Sequence, residues 1–143
     1  GSLTESLPFE GNMFDFILCS ETLEHLDKLD FALSELSRVL KAGGRLLVTV
    51  PNFTRLSFEY LREIFFEKDP THIHRHSLCK WKSVLSGHFS VKKVFTSSFH
   101  SSYILYMLGL NDNSTLNTEG LIKRIPLLGA LGRECVFLLE KNI

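Results

Sequence analysis

The sequence predicts an α/β fold organised around parallel strands, and three observations carry that prediction. A short apolar run, Phe14-Asp15-Phe16-Ile17-Leu18-Cys19, follows the turn-like Glu10-Gly11-Asn12 and reads as a strand buried on both faces. A second run, Arg45-Leu46-Leu47-Val48-Thr49-Val50, reads as another and stops at Pro51-Asn52. Between them, Leu29, Leu33, Leu36 and Leu40 recur at helical spacing, with Ala32 and Val39 beside them. Glu35, Ser37, Arg38 and Lys41 fall mostly on the other face. Gly43-Gly44 is placed to stop that helix, because glycine takes the left-handed conformation of a helix end. Strand, helix and strand at this length make a right-handed crossover in a parallel sheet.

The remaining elements follow in order. Leu3 to Asn12 is a lead-in loop, with Leu7-Pro8-Phe9 tucked against the sheet edge. Phe53 to Phe66 reads as an amphipathic helix, with Leu56, Tyr60, Leu61 and Ile64 inward and Glu59, Arg62 and Glu63 opposite. Its aromatic residues serve core packing or line a cavity. Lys68 to Ser77 is a polar loop carrying His72, His74 and His76. Ser77 caps a helix from Leu78 to Ser86 with Trp81, Val84 and Leu85 inward. Gly87-His88-Phe89 ends it, and Ser90 to Thr96 reads as a strand. Tyr103 to Leu108 reads as a short helix, Asn111 to Thr118 as a polar loop, and Leu121 to Gly129 as a loop over the core. Glu134 to Glu140 is the final strand.

Composition bounds the function. At 143 residues and 44% hydrophobic content the chain supports one domain over residues 3–143, with Gly1-Ser2 reading as a cloning remnant. Sixteen basic residues balance sixteen acidic ones, so charge gives no argument for a nucleic-acid partner. Cys19, Cys79 and Cys135 are odd in number and widely spaced, which favours free thiols and a reducing, cytoplasmic setting. Asn113-Ser114-Thr115 matches a glycosylation acceptor, but nothing else suggests secretion. No run approaches the roughly 20 apolar residues of a membrane span, and no signal-peptide pattern opens the sequence.

The ordered set Leu7-Pro8-Phe9, Phe14-Asp15-Phe16-Ile17, Leu23-Glu24-His25-Leu26, Glu35 to Gly44 and Val50-Pro51-Asn52 resembles the C-terminal half of a class I S-adenosylmethionine-dependent methyltransferase of the small-molecule type. The resemblance implies a partial Rossmann-like sheet. That family orders its strands 3-2-1-4-5-7-6, the seventh antiparallel. The strands present correspond to 4, 5, 6 and 7, and the glycine-rich cofactor turn of the first half has no counterpart here. Strand 4, Phe14 to Cys19, then has an open edge, an association hazard. The expectation is that another copy, another chain or a rearranged segment covers it.

Ligands of an open parallel sheet sit beyond the carboxyl ends of its strands. Those ends carry Ser20 to His25 and Pro51-Asn52-Phe53. By resemblance, Ser20, Glu21 and Glu24 approach S-adenosylmethionine, which this chain alone binds weakly or not at all. His25 is the candidate catalytic base toward a hydroxyl of a small acceptor, since an ordinary imidazole titrates near neutrality. The Asn-Pro-Pro-Tyr signature of nucleobase amino-methyltransferases is absent. Glu21-x-x-Glu24-His25 also resembles a pattern that binds a divalent ion in some quinone and RNA hydroxyl methyltransferases. Helical spacing would put both acids on one face, with His72, His74 or His76 as a further ligand. Separately, His72-x-His74-x-His76-x-x-Cys79 offers zinc-type donors on one side of an extended segment. The same letters occur in metal-free relatives, so no metal ligand is assigned from the sequence. The alternative to a methyltransferase is a half-fold scaffold or dimerisation module without cofactor.

Overall fold

The computed structural model describes residues 2–55, 57–65, 68–97 and 132–142. The expected features at 103–108, 111–118 and 121–129 lie outside the described residues. β1 (Phe14–Ser20), a 3-10 turn (Leu23–His25), α1 (Leu29–Val39) and β2 (Leu40–Pro51) come first. They are followed by α2 (Phe58–Phe65), α3 (Leu78–Ser86), β3 (Phe89–Ser97) and β4 (Glu134–Lys141). One sheet holds the strands in the order β1-β2-β4-β3. β1 and β2 are parallel, and β4 runs antiparallel to both its neighbours. This is the 4-5-7-6 order expected above.

The register fixes which residues share a face. Cys19 pairs with Val48, Val48 with Phe137, and Phe137 with Val94. That row points to one side, where Leu33 and Leu36 of α1 and Trp81 and Leu85 of α3 complete the buried cluster. The neighbouring rows, Leu18-Leu47-Leu138-Lys93 and Ser20-Thr49-Val136-Phe95, point to the other side. There Phe16 and Leu18 are 53% and 61% exposed. The expectation that β1 is buried on both faces is therefore wrong. An apolar run reports what a strand can bury; which neighbour covers it is a separate matter. Among the described residues no strand pairs with the outer edge of β1. No described part of the chain has rearranged onto it.

Gly43-Gly44 does not end α1. The helix stops at Val39, and Leu40, fully buried, is already extended and paired with Phe14. Lys41 to Gly44 then make a tight excursion inside β2, so that Phe16 pairs with Arg45. Gly43 supplies its left-handed residue at φ 71°, and a Cβ on Gly44 would lie 2.8 Å from the Lys41 carbonyl oxygen. The glycines are needed for a strand bulge.

α2 is also turned relative to expectation. Glu59 is buried, whereas Ile64 and Phe65 are exposed. Ion pairs with Arg62 and with Arg133 at the entrance to β4 draw Glu59 inward. α3 matches expectation: the Ser77 hydroxyl accepts the Lys80 N–H at 3.3 Å, and Trp81 and Leu85 are buried.

The lead-in is fastened to α1 by one partly buried pair. The Glu35 carboxylate accepts the Leu7 N–H and the Nε and Nη2 hydrogens of Arg38, and Arg38 in turn donates to the Phe9 and Leu7 carbonyls. The Arg38 guanidinium and the Leu7 N–H hold the Glu35 carboxyl at about 2.

Candidate functional site

β1 and β2 are parallel and adjacent, so Ser20-Glu21 and Pro51-Asn52 emerge at one rim. The Glu21 N–H donates to the Thr49 carbonyl at 3.0 Å. The Ser20 and Thr49 hydroxyls lie 2.8 Å apart, and the Thr49 hydroxyl donates to Glu21 Oε1 at 3.1 Å. A relay Ser20 to Thr49 to Glu21 uses each hydroxyl proton once. Glu21 sits at φ 45°, a left-handed conformation costly for a glutamate. It reverses the chain before the 3-10 turn. Asn52 is buried and structural: its side-chain amide donates to the Gly132 carbonyl at 2.7 Å, and its N–H to the Arg133 carbonyl at 2.8 Å.

One turn on, Glu24 is fully buried, and neither carboxylate oxygen has a hydrogen-bond partner. Burial pushes its carboxyl up to about 7, and the Glu21 charge adds to the rise. Burial likewise raises Glu21. His25 Nδ1 lies 3.0 Å from the Thr71 carbonyl, which only accepts, so Nδ1 carries the proton. That leaves the Nε2 lone pair of the neutral ring free, 3.6 Å from Glu24 Oε1.

The loop between α2 and α3 closes over this turn. Ile73 and His74 both donate their backbone N–H to the Glu24 carbonyl, at 2.9 and 3.0 Å. The His74 ring bonds the Leu26 carbonyl at 2.7 Å. This clamp sets the His72 ring 5.0 Å from the His25 ring. Desolvation lowers the pKa of His72 and keeps it neutral. His74 and His76 instead meet Trp81 edge-on. Among the described residues, Glu24, His25 and His72 alone bring three metal-type donor atoms together, all within 4.8 Å of one another.

A polar cavity of about 230 Å³ opens beside the rim, lined by Glu21, Glu59, Arg62, His72, Arg133 and others. Cys19 faces the core, and burial pushes its thiol up to about 11, which removes it as a nucleophile.

Residues 1–48 match the family model of a methyltransferase domain. An uncharacterized methyltransferase of Bacillus subtilis is 34% identical over 86 residues, which is 58% of this chain and 34% of that protein. The ubiquinone/menaquinone biosynthesis C-methyltransferase of Allorhizobium ampelinum is 52% identical over 44 residues, 31% of this chain and 17% of that protein. The matched part of this chain thus spans about a third of the first relative and about a sixth of the second. A Haloferax volcanii methyltransferase, solved in complex with the Trm112 methyltransferase activator, superposes with a TM-score of 0.64 at 16% identity. The match covers 100% of this chain and 60% of that one. The fold is that of the class I S-adenosylmethionine-dependent methyltransferases.

Within this methyltransferase fold, the sequence-predicted residues separate into two groups. Ser20 and Glu21 form the rim with Thr49; Glu24 and His25 lie behind it under the clamped loop. Glu21 and Glu24 do not share a helical face, because Glu21 precedes the turn and bonds Thr49. Nor do His72, His74 and His76 act together, since the clamp sends His72 to His25 and the other two to Trp81. The Glu59, Arg62 and Arg133 wall of the cavity went unseen in the sequence, because Arg133 reaches it from β4. Asp69 was findable: Asp-Pro-Thr is a turn signature, and Asp69 accepts the Thr71 N–H and hydroxyl.

Proposed function

We propose that this chain is the C-terminal part of a methyltransferase that moves a methyl group from S-adenosylmethionine to a small-molecule acceptor. The observation that carries the reading is the shared rim, where Glu21 and Thr49 tie the ends of two parallel strands. Such a rim is where an open parallel sheet takes its ligand. Ser20, Glu21 and Glu24 supply the cofactor side. When bound there, S-adenosylmethionine would supply its sulfonium methyl group to the acceptor and leave as the neutral thioether. His25 Nε2 takes the acceptor proton, its tautomer set by Thr71. Alignment in a water-poor site does much of the remaining work. The buried free thiols Cys19 and Cys135 support a cytoplasmic setting. No helix among the described residues is long and apolar enough to cross a membrane.

Calorimetry of S-adenosylmethionine against this chain, and against a polypeptide extended upstream, tests the reading. Weak or no binding to the former and clear binding to the latter is expected; no binding to either sinks it. In the extended protein, His25→Gln is expected to cut turnover about 100-fold with cofactor affinity kept. Unchanged turnover removes the base role.

A second reading is favoured by the open edge of β1 and its exposed Phe16 and Leu18. The chain is then a cofactor-free scaffold that pairs with another copy of itself along that edge. Beside it lies an apolar groove of about 270 Å³ lined by Phe9, Phe14, Phe16 and Leu36 among others. A dimer in light scattering, together with no cofactor binding in the extended protein, supports this second reading over the first.

A further inference from the structure

Glu24 poses a problem that the rim does not solve. A carboxylate with no exposed surface and no hydrogen-bond partner on either oxygen is costly to bury, and native structures rarely leave one so. What faces it is two imidazoles. His25 Nε2 is 3.6 Å from Glu24 Oε1, and the His25 and His72 rings are 5.0 Å apart. His72 is itself nearly buried, and its Nδ1 has no hydrogen-bond partner.

We propose that Glu24, His25 and His72 bind one divalent cation of the zinc type, with a coordination position left open toward the polar cavity. Ligands about 2.0–2.2 Å from a tetrahedral ion sit roughly 3.4 Å from one another. The Glu24–His25 separation is already close to that, all three donor atoms lie within 4.8 Å of one another, and ring rotation would bring them closer. Two imidazoles and one carboxylate suit zinc better than magnesium or calcium, which favour oxygen donors. Three protein ligands with one free position is the pattern of a reactive rather than a structural zinc site.

The surroundings are those of a built site. His25 is oriented by its Nδ1–H bond to the Thr71 carbonyl, the outer support that metal-bound histidines usually have. His72 Nε2 lies 3.7 Å from Asp69 Oδ2, and Asp69 is fixed by Thr71. The clamp of Ile73 and His74 on the Glu24 carbonyl holds the two halves of the ligand set together. His74 and His76, two and four residues on, have the same donor atoms but no carboxylate, and their rings lie against Trp81.

The site itself stands on these three side chains. Its role rests on the methyl-transfer reading: an acceptor oxygen at the open position would be acidified by the ion, and His25 would act through the ion instead of as a free base. The test is zinc content of the full chain after exhaustive dialysis, together with the visible absorption of the cobalt-loaded form. Wild type is expected to hold one zinc per chain and to melt at a higher temperature with zinc than without. Glu24→Gln and His72→Asn are expected to weaken zinc more than about 100-fold, beyond the range for supporting residues. His76→Asn is expected to keep it. Glu24→Gln is isosteric and removes a buried unpaired charge, so its zinc-free form should melt no lower than wild type, which separates lost ligation from lost folding. No zinc in the wild type, or zinc unaffected by both Glu24→Gln and His72→Asn, overturns the proposal. Zinc without cofactor binding in the extended protein would sink the methyltransferase reading alone; cofactor binding without zinc would sink this one alone.

Discussion

The two faces of the sheet are built from similar residues and end in different states. On one, Val48, Phe137, Leu139, Leu33, Trp81 and Leu85 have no exposed surface. On the other, Phe16, Leu18 and Phe95 are each about half exposed or more. Apolar content does not separate the faces. What does is the direction of the crossovers: α1 follows β1 and α3 precedes β3, and both pack on the same side. Among the described residues, α1 and α3 finish one face of the sheet, whereas Phe16, Leu18 and Phe95 on the other stay exposed.

The largest expected effect tests the finished face. Phe137→Ala should cost about 3–5 kcal/mol, the usual loss for a buried aromatic side chain that leaves a cavity. Leu18→Ala, one row over on the open face, should change the stability of the monomer by no more than about 0.5 kcal/mol. Urea denaturation of both variants measures the difference. Similar losses at the two positions would mean that the open face is packed in solution. Light scattering of Leu18→Asp then reports what packs there, since a charge on that row should disperse self-association.

The next effect lies where the finished face meets the β1 edge. Glu35 is held at about 2, below the ordinary 4.5, by Arg38 and the Leu7 N–H. A depressed carboxyl stabilises the fold above its ordinary value, and that contribution is lost as pH falls toward 2. Denaturant midpoints measured through this acid range should drop for the wild type and drop less for Glu35→Gln, which starts lower at neutral pH. A parallel acid limb in both would show that the lead-in is not fastened by this carboxylate.

A smaller effect belongs to α3. Ser77→Ala removes the hydroxyl that accepts the Lys80 N–H and should cost about 1 kcal/mol. That cap was legible because it is decided within four residues. The strand-helix-strand order was legible from apolar runs, and the sheet order from the family resemblance. What failed to read depends on distant partners. The polarity of α2 is set by Arg133, which arrives with β4. Gly43-Gly44 reads as a helix stop until Leu40 is seen paired with Phe14. In the site, Glu24 and His25 stood out by type and place. The choice of His72 among three histidines waits on two N–H bonds to the Glu24 carbonyl, which no local pattern encodes.

The smallest expected effect is the most informative about the open side. Lys41 Nζ reaches both Asp15 oxygens at 2.8 Å beside the start of β1. The Asp15 side chain is 82% exposed, so its geometry is good but its setting is wet. Ordering a lysine in water offsets most of the attraction, and salt screens the rest, so Lys41→Ala should cost no more than about 0.5 kcal/mol and less in added salt. The same pair placed under a docked neighbour would behave differently. Its cost on mutation would exceed about 1 kcal/mol and lose its salt dependence, as for charges withdrawn from solvent. Measuring that one substitution across protein concentration therefore tells whether the edge of β1 is wet in the free chain and becomes dry on association.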